Sequence, residues 1–375
     1  MELLFLAASK WFAKQSLSSN YMHQEGSFAA TMISTSAKVL AAGVMDRQSA
    51  LDPGMIPASG PALDELIGET ELRLCYLAQA LACNRVVLFT DHLAWLKVWN
   101  ASRGISTKSL RINLECMVEE LEDRLPEGTA SLTSAMLKSG ISQFEDAPSE
   151  VSSYLEGDAP YVDLARKFLL AVLESREADA FDLVMEAFAA GATITDLHKH
   201  VLQRVQVEMG RMWQMAETTI AEEHYCTGIV TSLLAMMRAK SERATPSGRR
   251  VITANVNNET HSIGIQLVSQ AFESQGWSVI GLGSNTPVIA IAEAVRDFGC
   301  DVIALSVNIV LYVRQTADLI ATLRSHPLTA NVPILVGGQP FNLVDDLWEV
   351  VGADGFASSA LDSPVVAERL VCSSA

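Results

Sequence analysis

The residues best suited to chemistry lie in the run Glu259-Thr260-His261-Ser262-Ile263-Gly264, which follows a short apolar stretch. A histidine can coordinate a metal through one ring nitrogen while its other nitrogen donates to a carboxylate. Glu259 stands two residues before His261, and Gly264, three residues after it, leaves room for a bulky group beside the backbone. Alone the pattern is weak, because a histidine after a strand is more often a loop or capping residue.

Two later strand ends strengthen the case for a site. Forty-one residues separate Gly264 from Ser306, which closes an apolar run, and a later apolar run ends at Gly337-Gly338. In an open parallel sheet, ligands bind beyond the carboxyl ends of the strands. His261, Ser306 and the two glycines are therefore expected to meet in one crevice.

The region 249–375 has the pattern of a doubly wound domain. Short β-branched runs at 251–256, 279–282, 302–307, 334–336 and 355–357 alternate with helical stretches. Alternation of this kind is typical of a parallel sheet with helices on both faces. The sequence predicts a five-stranded, Rossmann-like domain.

These motifs resemble the cobalamin-binding domain of methionine synthase, corrinoid methyltransferase subunits and certain mutases. The resemblance implies that His261 is the lower axial ligand of cobalt and that Glu259, in place of the usual Asp, orients its ring. It also implies a slot for the nucleotide tail of the cofactor. Asn308 stands where the family has Leu, and the residues expected at this slot are Ser262, Gly264, Ser306, Asn308, Gly337 and Gly338.

A second spacing lies upstream, in the region 160–243, where helical periodicity predicts a four-helix bundle. Nine residues separate Trp213 from Glu223-His224. Without the neighbouring domain, Trp213 would be read as ordinary core and the pair as solvated surface. The spacing resembles CarH-type photoreceptors, which implies that Trp213 packs on the adenosyl group of adenosylcobalamin. It also implies that Glu223 and His224 bind the ribose or stand near cobalt.

One position departs from the photoreceptor pattern. Gln214 follows Trp213 where the photoreceptors have a histidine that captures cobalt after illumination. An amide is a poor cobalt ligand, so the sequence leaves His224 or water for that role.

The amino-terminal region divides into a Ser-, Ala-, Gly- and Pro-rich stretch, 1–61, expected to be a lead or linker, and a helical module, 62–148. In the module Asp91, Trp95 and Trp99 recur every four residues and share one helix face. They predict either a bundle helix with a tryptophan seam or a second ligand site.

The order of an extra helical module, a bundle and a cobalamin domain resembles the photocobilins, which bind cobalamin and biliverdin. That resemblance implies acceptors for pyrrole nitrogens, cations for propionates and apolar walls. The candidate bilin-binding residues are Arg73, Arg85, Asp91, His92, Trp95, Lys97, Trp99 and Arg103.

Composition restricts the partners. A net charge of −17 over 375 residues disfavours direct contact with nucleic acid, which needs clustered Lys and Arg. The six cysteines show no metal-binding spacing and are expected to be reduced, as in a cytoplasmic protein. The apolar run Leu3–Ala8 is too short to span a membrane. A homo-oligomer with an unidentified protein effector is expected.

The sequence favours a non-enzymatic light sensor. In this hypothesis, breakage of the cobalt–carbon bond of adenosylcobalamin changes domain packing or oligomerisation, and thereby a partner, with biliverdin as a candidate second chromophore. The alternative is a corrinoid subunit of a methyltransferase system. A third reading is a domain that keeps the fold without the cofactor.

Overall fold

A computed structural model of the chain describes residues 24–51, 53–54, 63–241 and 244–374. These residues form an amino-terminal helical module, a helical cap and a carboxyl-terminal domain built on one parallel sheet. The predicted fold class is therefore confirmed.

The sheet domain contains five parallel strands in the order β2-β1-β3-β4-β5. The strands are β1 Arg250–Asn255, β2 Ser278–Gly283, β3 Val302–Ser306, β4 Ile334–Gly337 and β5 Gly355–Ala357. The burial of β1, β3 and β4 on both faces explains their continuous apolar runs in the sequence. The helices of this domain are α11 Ser262–Ser274, α12 Val288–Phe298, α13 Val313–Ser325, α14 Gln339–Leu343, α15 Leu347–Val350 and α16 Ser363–Ser374, with a 3₁₀ turn at Val310–Tyr312.

The strand register brings the predicted site residues together. Asn255 pairs with Ser306, Ser306 pairs with Gly337, and Gly337 pairs with Ala357. These four residues form one row across the carboxyl edge of the sheet. The loop that carries His261 leaves β1 at the end of this row.

The cap is a bundle whose third member is one continuous helical rod. Its helices are α6 Val162–Leu173, α7 Glu177–Ala189, α8 Ile194–Leu197, a π-helical turn His198–Leu202, α9 Gln203–Gln214 and α10 Ile220–Lys240. Helix α10 begins with a capping box in which Thr219 and Glu222 bind each other's backbone N–H groups. An apolar cluster fills the bundle and extends to Leu267 of α11, so the cap packs on the sheet domain.

The amino-terminal module contains five described helices. They are α1 Gln24–Leu51, α2 Leu63–Cys83, α3 Val87–Ser102, α4 Thr107–Arg124 and α5 Glu127–Asp146. Helix α1 corrects the expectation that 1–61 is a lead or linker; residues 1–23, 52 and 55–62 lie outside the described residues. Its small residues, poorly periodic in sequence, allow close packing against α2, and Arg47 pairs with the buried Glu120.

Among the described helices, α1 is long and apolar enough to cross a membrane by length and composition alone. A buried helix of a packed domain meets the same criterion. In this structure its apolar face, including Ile33, Leu40 and Val44, belongs to the core of the module.

The module and the sheet domain share one apolar cluster. Polar contacts reinforce this packing: Arg85 Nε donates to Asp346 Oδ1 at 3.0 Å, and the backbone N–H of Arg314 donates to Gln79 Oε1 at 3.0 Å. The module is therefore attached along the carboxyl side of the sheet domain, near the predicted site.

Gly338 is a position where only glycine fits. Its φ of +114° is unfavourable for other residues, and an added Cβ would overlap the carbonyl oxygen of Val307. We expect Gly338→Ala to lower the free energy of unfolding by about 4 kcal/mol or more, measured by urea denaturation. Gly248→Ala is the matched control, because its φ is +80° but its surroundings are open; we expect it to cost about 1 kcal/mol. Equal effects of the two substitutions would show that the overlap is relieved.

Candidate functional site

The exposed imidazole of His261 is held from below by the buried carboxylate of Glu259. Glu259 Oε1 lies 2.5 Å from His261 Nδ1 and also accepts the backbone N–H of His261 at 3.0 Å. Its other oxygen accepts the backbone N–H of Asn308 at 2.9 Å. The side chain of Glu259 is 0% exposed and that of His261 58% exposed, so the ring stands at the surface of a rigid base.

Electrostatics fix which nitrogen of His261 is available. Burial acts to raise the pKa of Glu259, but the hydrogen bonds from His261 and Asn308 outweigh burial and lower that pKa. The hydrogen bond to Glu259 raises the pKa of His261. A carboxylate that holds Nδ1–H leaves Nε2 as the coordinating atom, and Nε2 has no hydrogen-bond partner within the described residues.

Three asparagines that sequence reasoning missed shape the loop below His261. Asn255 Nδ2 donates to the His261 carbonyl oxygen at 2.8 Å. Asn285 Oδ1 accepts the backbone N–H of Asn258, and the backbone N–H of Asn285 donates to the Glu259 carbonyl oxygen, both at 2.8 Å. Asn258 and Asn285 have φ values of 65° and 52°, which asparagine tolerates better than most residues. The sequence signal that could have identified these residues is an asparagine at or soon after the end of a predicted strand.

Beside His261 a cavity of about 240 Å³ opens between the carboxyl ends of β3, β4 and β5 and helix α11. Of the predicted slot residues, Gly264, Ser306, Asn308, Gly337 and Gly338 line it. Ser262 does not line it, and its Oγ instead accepts from Gln266 Nε2 at 3.2 Å. The cavity also has lining residues that the sequence reasoning missed, including Gln203 and Val207 from cap helix α9.

Glycine keeps this cavity open. A Cβ on Gly264 would lie 3.4 Å from Ser306 Oγ, and one on Gly337 would lie 3.0 Å from the Ala357 carbonyl oxygen. Larger side chains at these positions would fill the space between the strands. The cavity is therefore suited to a flat group inserted edge-on against the backbone.

The residues present fit a corrinoid. A corrin ring supplies four nitrogen ligands to cobalt, so the protein needs to provide a single axial donor and room for the nucleotide tail. His261 is such a donor, and the glycine-lined cavity is such a room. Within the described ranges no group of three or more His, Cys, Asp or Glu side chains could hold a metal without a macrocycle.

The cap carries Glu223 close enough to His261 to influence it electrostatically, with His224 next to it. Glu223 Oε2 lies 2.7 Å from His224 Nδ1, and Glu223 Oε1 accepts from Thr227 Oγ1 at 2.9 Å. The charge of Glu223 contributes to the raised pKa of His261, after the hydrogen bond to Glu259. The cap therefore faces His261 through Glu223, and His224 is exposed beside it.

Trp213, for which the resemblance implied contact with an adenosyl group, is half-buried against the amino-terminal module. Its indole packs against Trp95 and Trp99 of the amino-terminal module, with ring centroids 5.8 and 4.9 Å apart. Gln214 is buried, and its Nε2 donates to the Trp95 carbonyl oxygen at 3.0 Å. The tryptophan seam expected on α3 is therefore one side of a contact between the module and the cap.

Apart from Asp91, the other candidate bilin residues are engaged with different partners. His92 is buried and stacks on Tyr76 at 3.7 Å, while Asp91 is exposed. Arg73 binds Thr70, Asn113 and Glu69, and Arg85 binds Asp346. Lys97 binds the carbonyl oxygens of Phe144 and Glu145. Arg103 binds the carbonyl oxygens of Trp213 and Gln214. These cations join helices of the protein.

Comparison with known proteins agrees with the site. Residues 249–364 and 164–238 each match a family model described as a B12 binding domain. The chain is 27% identical over 122 residues to dimethylamine corrinoid protein 1 of Methanosarcina acetivorans, which covers 32% of this chain and 56% of that protein. The match thus spans about half the length of that relative.

Two further proteins match a larger share of the chain. Trimethylamine corrinoid protein 1 of Methanosarcina acetivorans is 25% identical over 197 residues, which are 51% of this chain and 89% of that protein. The solved structure of monomethylamine corrinoid protein from Methanosarcina barkeri has a TM-score of 0.48 and 22% identity, covering 56% of this chain and 99% of the other.

These findings correct the function expected from sequence. The relatives are named as corrinoid proteins of dimethylamine and trimethylamine and not as photoreceptors, so the CarH-type and photocobilin interpretation is wrong. The coarser prediction is confirmed, because two B12 binding domain matches cover the cap and the sheet domain. The chain is a corrinoid-binding protein in these two regions.

If the cavity beside Gly264 holds the nucleotide tail, filling it should weaken the binding of corrinoids that carry the tail more than of those that lack it. We expect Gly264→Leu to weaken binding of cobalamin by about tenfold or more, because the added side chain fills the space next to Ser306. The same substitution should lower the affinity for cobinamide, which lacks the nucleotide, much less. Absorbance titration with both corrinoids measures the difference, and equal losses would contradict the placement of the tail in this cavity.

Because the buried carboxylate of Glu259 orients His261, its removal should weaken corrinoid binding while His261 remains the axial ligand. Glu259→Gln should lower corrinoid affinity by about 10- to 100-fold, because one amide oxygen cannot accept from both His261 and Asn308. Glu349→Gln removes the same charge from an exposed position of the sheet domain and serves as control. Spectral titration of both variants is the measurement, and an unchanged affinity for Glu259→Gln would remove its assigned role.

Proposed function

We propose that this protein is a corrinoid-carrying subunit of a methyltransferase system, which accepts a methyl group from one partner protein and delivers it to another. The observation that carries the proposal is the exposed His261 ring on its buried Glu259, next to a tail-sized cavity and beneath a helical cap. Support for the choice of system comes from relatives named as dimethylamine and trimethylamine corrinoid proteins.

Each part of the site has a role in such a carrier. The corrinoid, when bound, supplies a cobalt centre that gains and loses a methyl group. His261 Nε2 would hold the cobalt from below, and Glu259 would keep the proton on Nδ1 throughout. Because the Glu259 carboxylate is also bound by Asn308, the ring cannot turn away when the charge on the metal changes.

The cap would cover the opposite face of the corrin. Glu223 and His224 would lie near the upper ligand of cobalt. They would keep other side chains away from that position and would leave space there for a small group. A methyl group is favoured over an adenosyl group, because the indole of Trp213 is packed against Trp95 and Trp99.

Methyl donors and acceptors would be held by the partner proteins, which would supply the catalytic groups. The chain itself would act as a carrier and not as the catalyst. A net charge of −17 favours partners with basic docking surfaces. The six cysteines are unpaired, which supports a reducing, cytoplasmic location.

The proposal predicts which upper ligand the protein retains and releases. Protein loaded separately with methylcobalamin and adenosylcobalamin should keep the methyl form at least as well on gel filtration. When a methylcobalamin:thiol methyltransferase and a thiol are added, the bound methyl group should appear as thioether.

The His261→Ala variant provides the matched comparison. We expect that neither methylcobalamin nor adenosylcobalamin shows the absorption spectrum of histidine-ligated cobalt when it is added to this variant. Retention of adenosylcobalamin alone, with no methyl transfer, would contradict the carrier function. Failure to retain any corrinoid would identify a domain that keeps the fold without the cofactor.

A further inference from the structure

Two helix ends meet where the amino-terminal module contacts the cap. Helix α3 ends at Ser102, and helix α9 ends at Gln214. The last carbonyl groups of a helix lack partners within it and carry partial negative charge. Two such ends would repel each other unless a donor lies between them.

Arg103 is that donor. Its Nη1 donates to the Gln214 carbonyl oxygen at 2.8 Å and to that of Trp99 at 3.2 Å, and its Nη2 donates to that of Trp213 at 3.0 Å. Ser102 Oγ adds a bond to the Gln214 carbonyl oxygen at 3.0 Å. One guanidinium group therefore binds the carbonyl ends of both helices at once.

Aromatic packing fixes the orientation of the same contact. The Arg103 guanidinium lies over the Trp99 ring at 3.2 Å, and Trp99 meets Trp213 edge to face. Trp95 adds a tilted contact with Trp213 and receives the side-chain bond of Gln214. These five residues are called the tryptophan joint below.

The joint connects the cap to a module that is itself fixed to the sheet domain. Arg85 binds Asp346, and Gln79 binds the backbone of Arg314, on the sheet side of the module. The cap also contacts the sheet domain directly, where Arg238 Nε donates to Glu273 at 2.7 Å. The cap is thus held at two places, and the joint is the one that the amino-terminal module controls.

We propose that the tryptophan joint positions the cap over the corrin face, with Arg103 as its positioning residue. The inference rests on the proposed function in one respect: a partner protein must reach the face that the cap covers. Closing the joint keeps the cap over that face, and releasing it lets the cap move about its contact with α11. The module therefore regulates access to the upper ligand.

The experiment compares full-length variants of the joint with a matched control. Arg103→Ala removes all of the guanidinium bonds, and Arg103→Lys keeps the charge without the forked geometry. Arg176→Ala removes an exposed arginine of the cap that pairs with Glu174 and Asp179. Gln214→Met, a substitution of similar volume on the cap side, removes the bond to Trp95 in case Arg103→Ala does not fold.

Two measurements report the position of the cap without methyl transfer. Hydrogen exchange of the corrinoid-free protein follows the amides of Gln203–Gln214 and Ile220–Lys240. The rate at which cyanide reaches hydroxocobalamin-loaded protein, read from the absorbance change, follows access to the upper face.

We expect Arg103→Ala to increase both rates by about tenfold or more, because a charged donor to several carbonyl groups is lost. Arg103→Lys should partly restore the original rates, Gln214→Met should act in the same direction as Arg103→Ala, and Arg176→Ala should match the parent protein. Unchanged rates in Arg103→Ala and Gln214→Met would overturn the proposal. Faster exchange throughout the chain, in proportion to lost global stability, would also overturn it.

The outcome is separable from that of the proposed function. If the parent protein fails to transfer methyl groups but cyanide access depends on Arg103, the carrier function fails and the joint stands. If methyl transfer occurs and its rate and cyanide access are both insensitive to Arg103, the joint fails and the carrier function stands.

Discussion

The site depends on a carboxylate buried beneath an exposed imidazole. Burial acts to raise the pKa of Glu259, but the net direction is lowered, because the Nδ1–H of His261 and two backbone N–H groups donate to its carboxylate. A buried carboxylate is stable only when such donors are in place. Glu259 therefore ties the loop after β1 to the loop after β3, in an arrangement that presents Nε2 of His261 outward.

The rest of the sheet domain follows from that arrangement. The row formed by Asn255, Ser306 and Gly337 is set by parallel pairing, and it places the cavity directly beside the imidazole. Glycines at 264 and 337 keep the cavity open because a side chain there would meet Ser306 or the backbone of Ala357. The sheet thus sets a geometry that would suit a ligand with a broad ring and a flat tail.

Above the sheet, the contacts of the cap with the amino-terminal module and with the sheet domain determine how the cap is held. In the proposed carrier, the cap would have to be held over the corrinoid and also be able to move. Small apolar contacts with α11 and the Arg238–Glu273 pair hold it on one side, and the tryptophan joint holds it on the other. The same tryptophans had suggested a chromophore site, because an aromatic stripe on one helix does not reveal what covers it.

The sequence by itself determined the strand and helix pattern, His261 with its carboxylate, and the glycine, serine and asparagine positions of the cavity at the ends of β3 and β4. These features depend on local periodicity and on loops that begin where a strand ends, so spacing is sufficient to find them. Only the tertiary structure decided that Gln203 and Val207 line the cavity and that Gln214 binds Trp95, 119 positions away. Such contacts join separate helices, and their partners depend on how whole helices pack rather than on neighbouring residues.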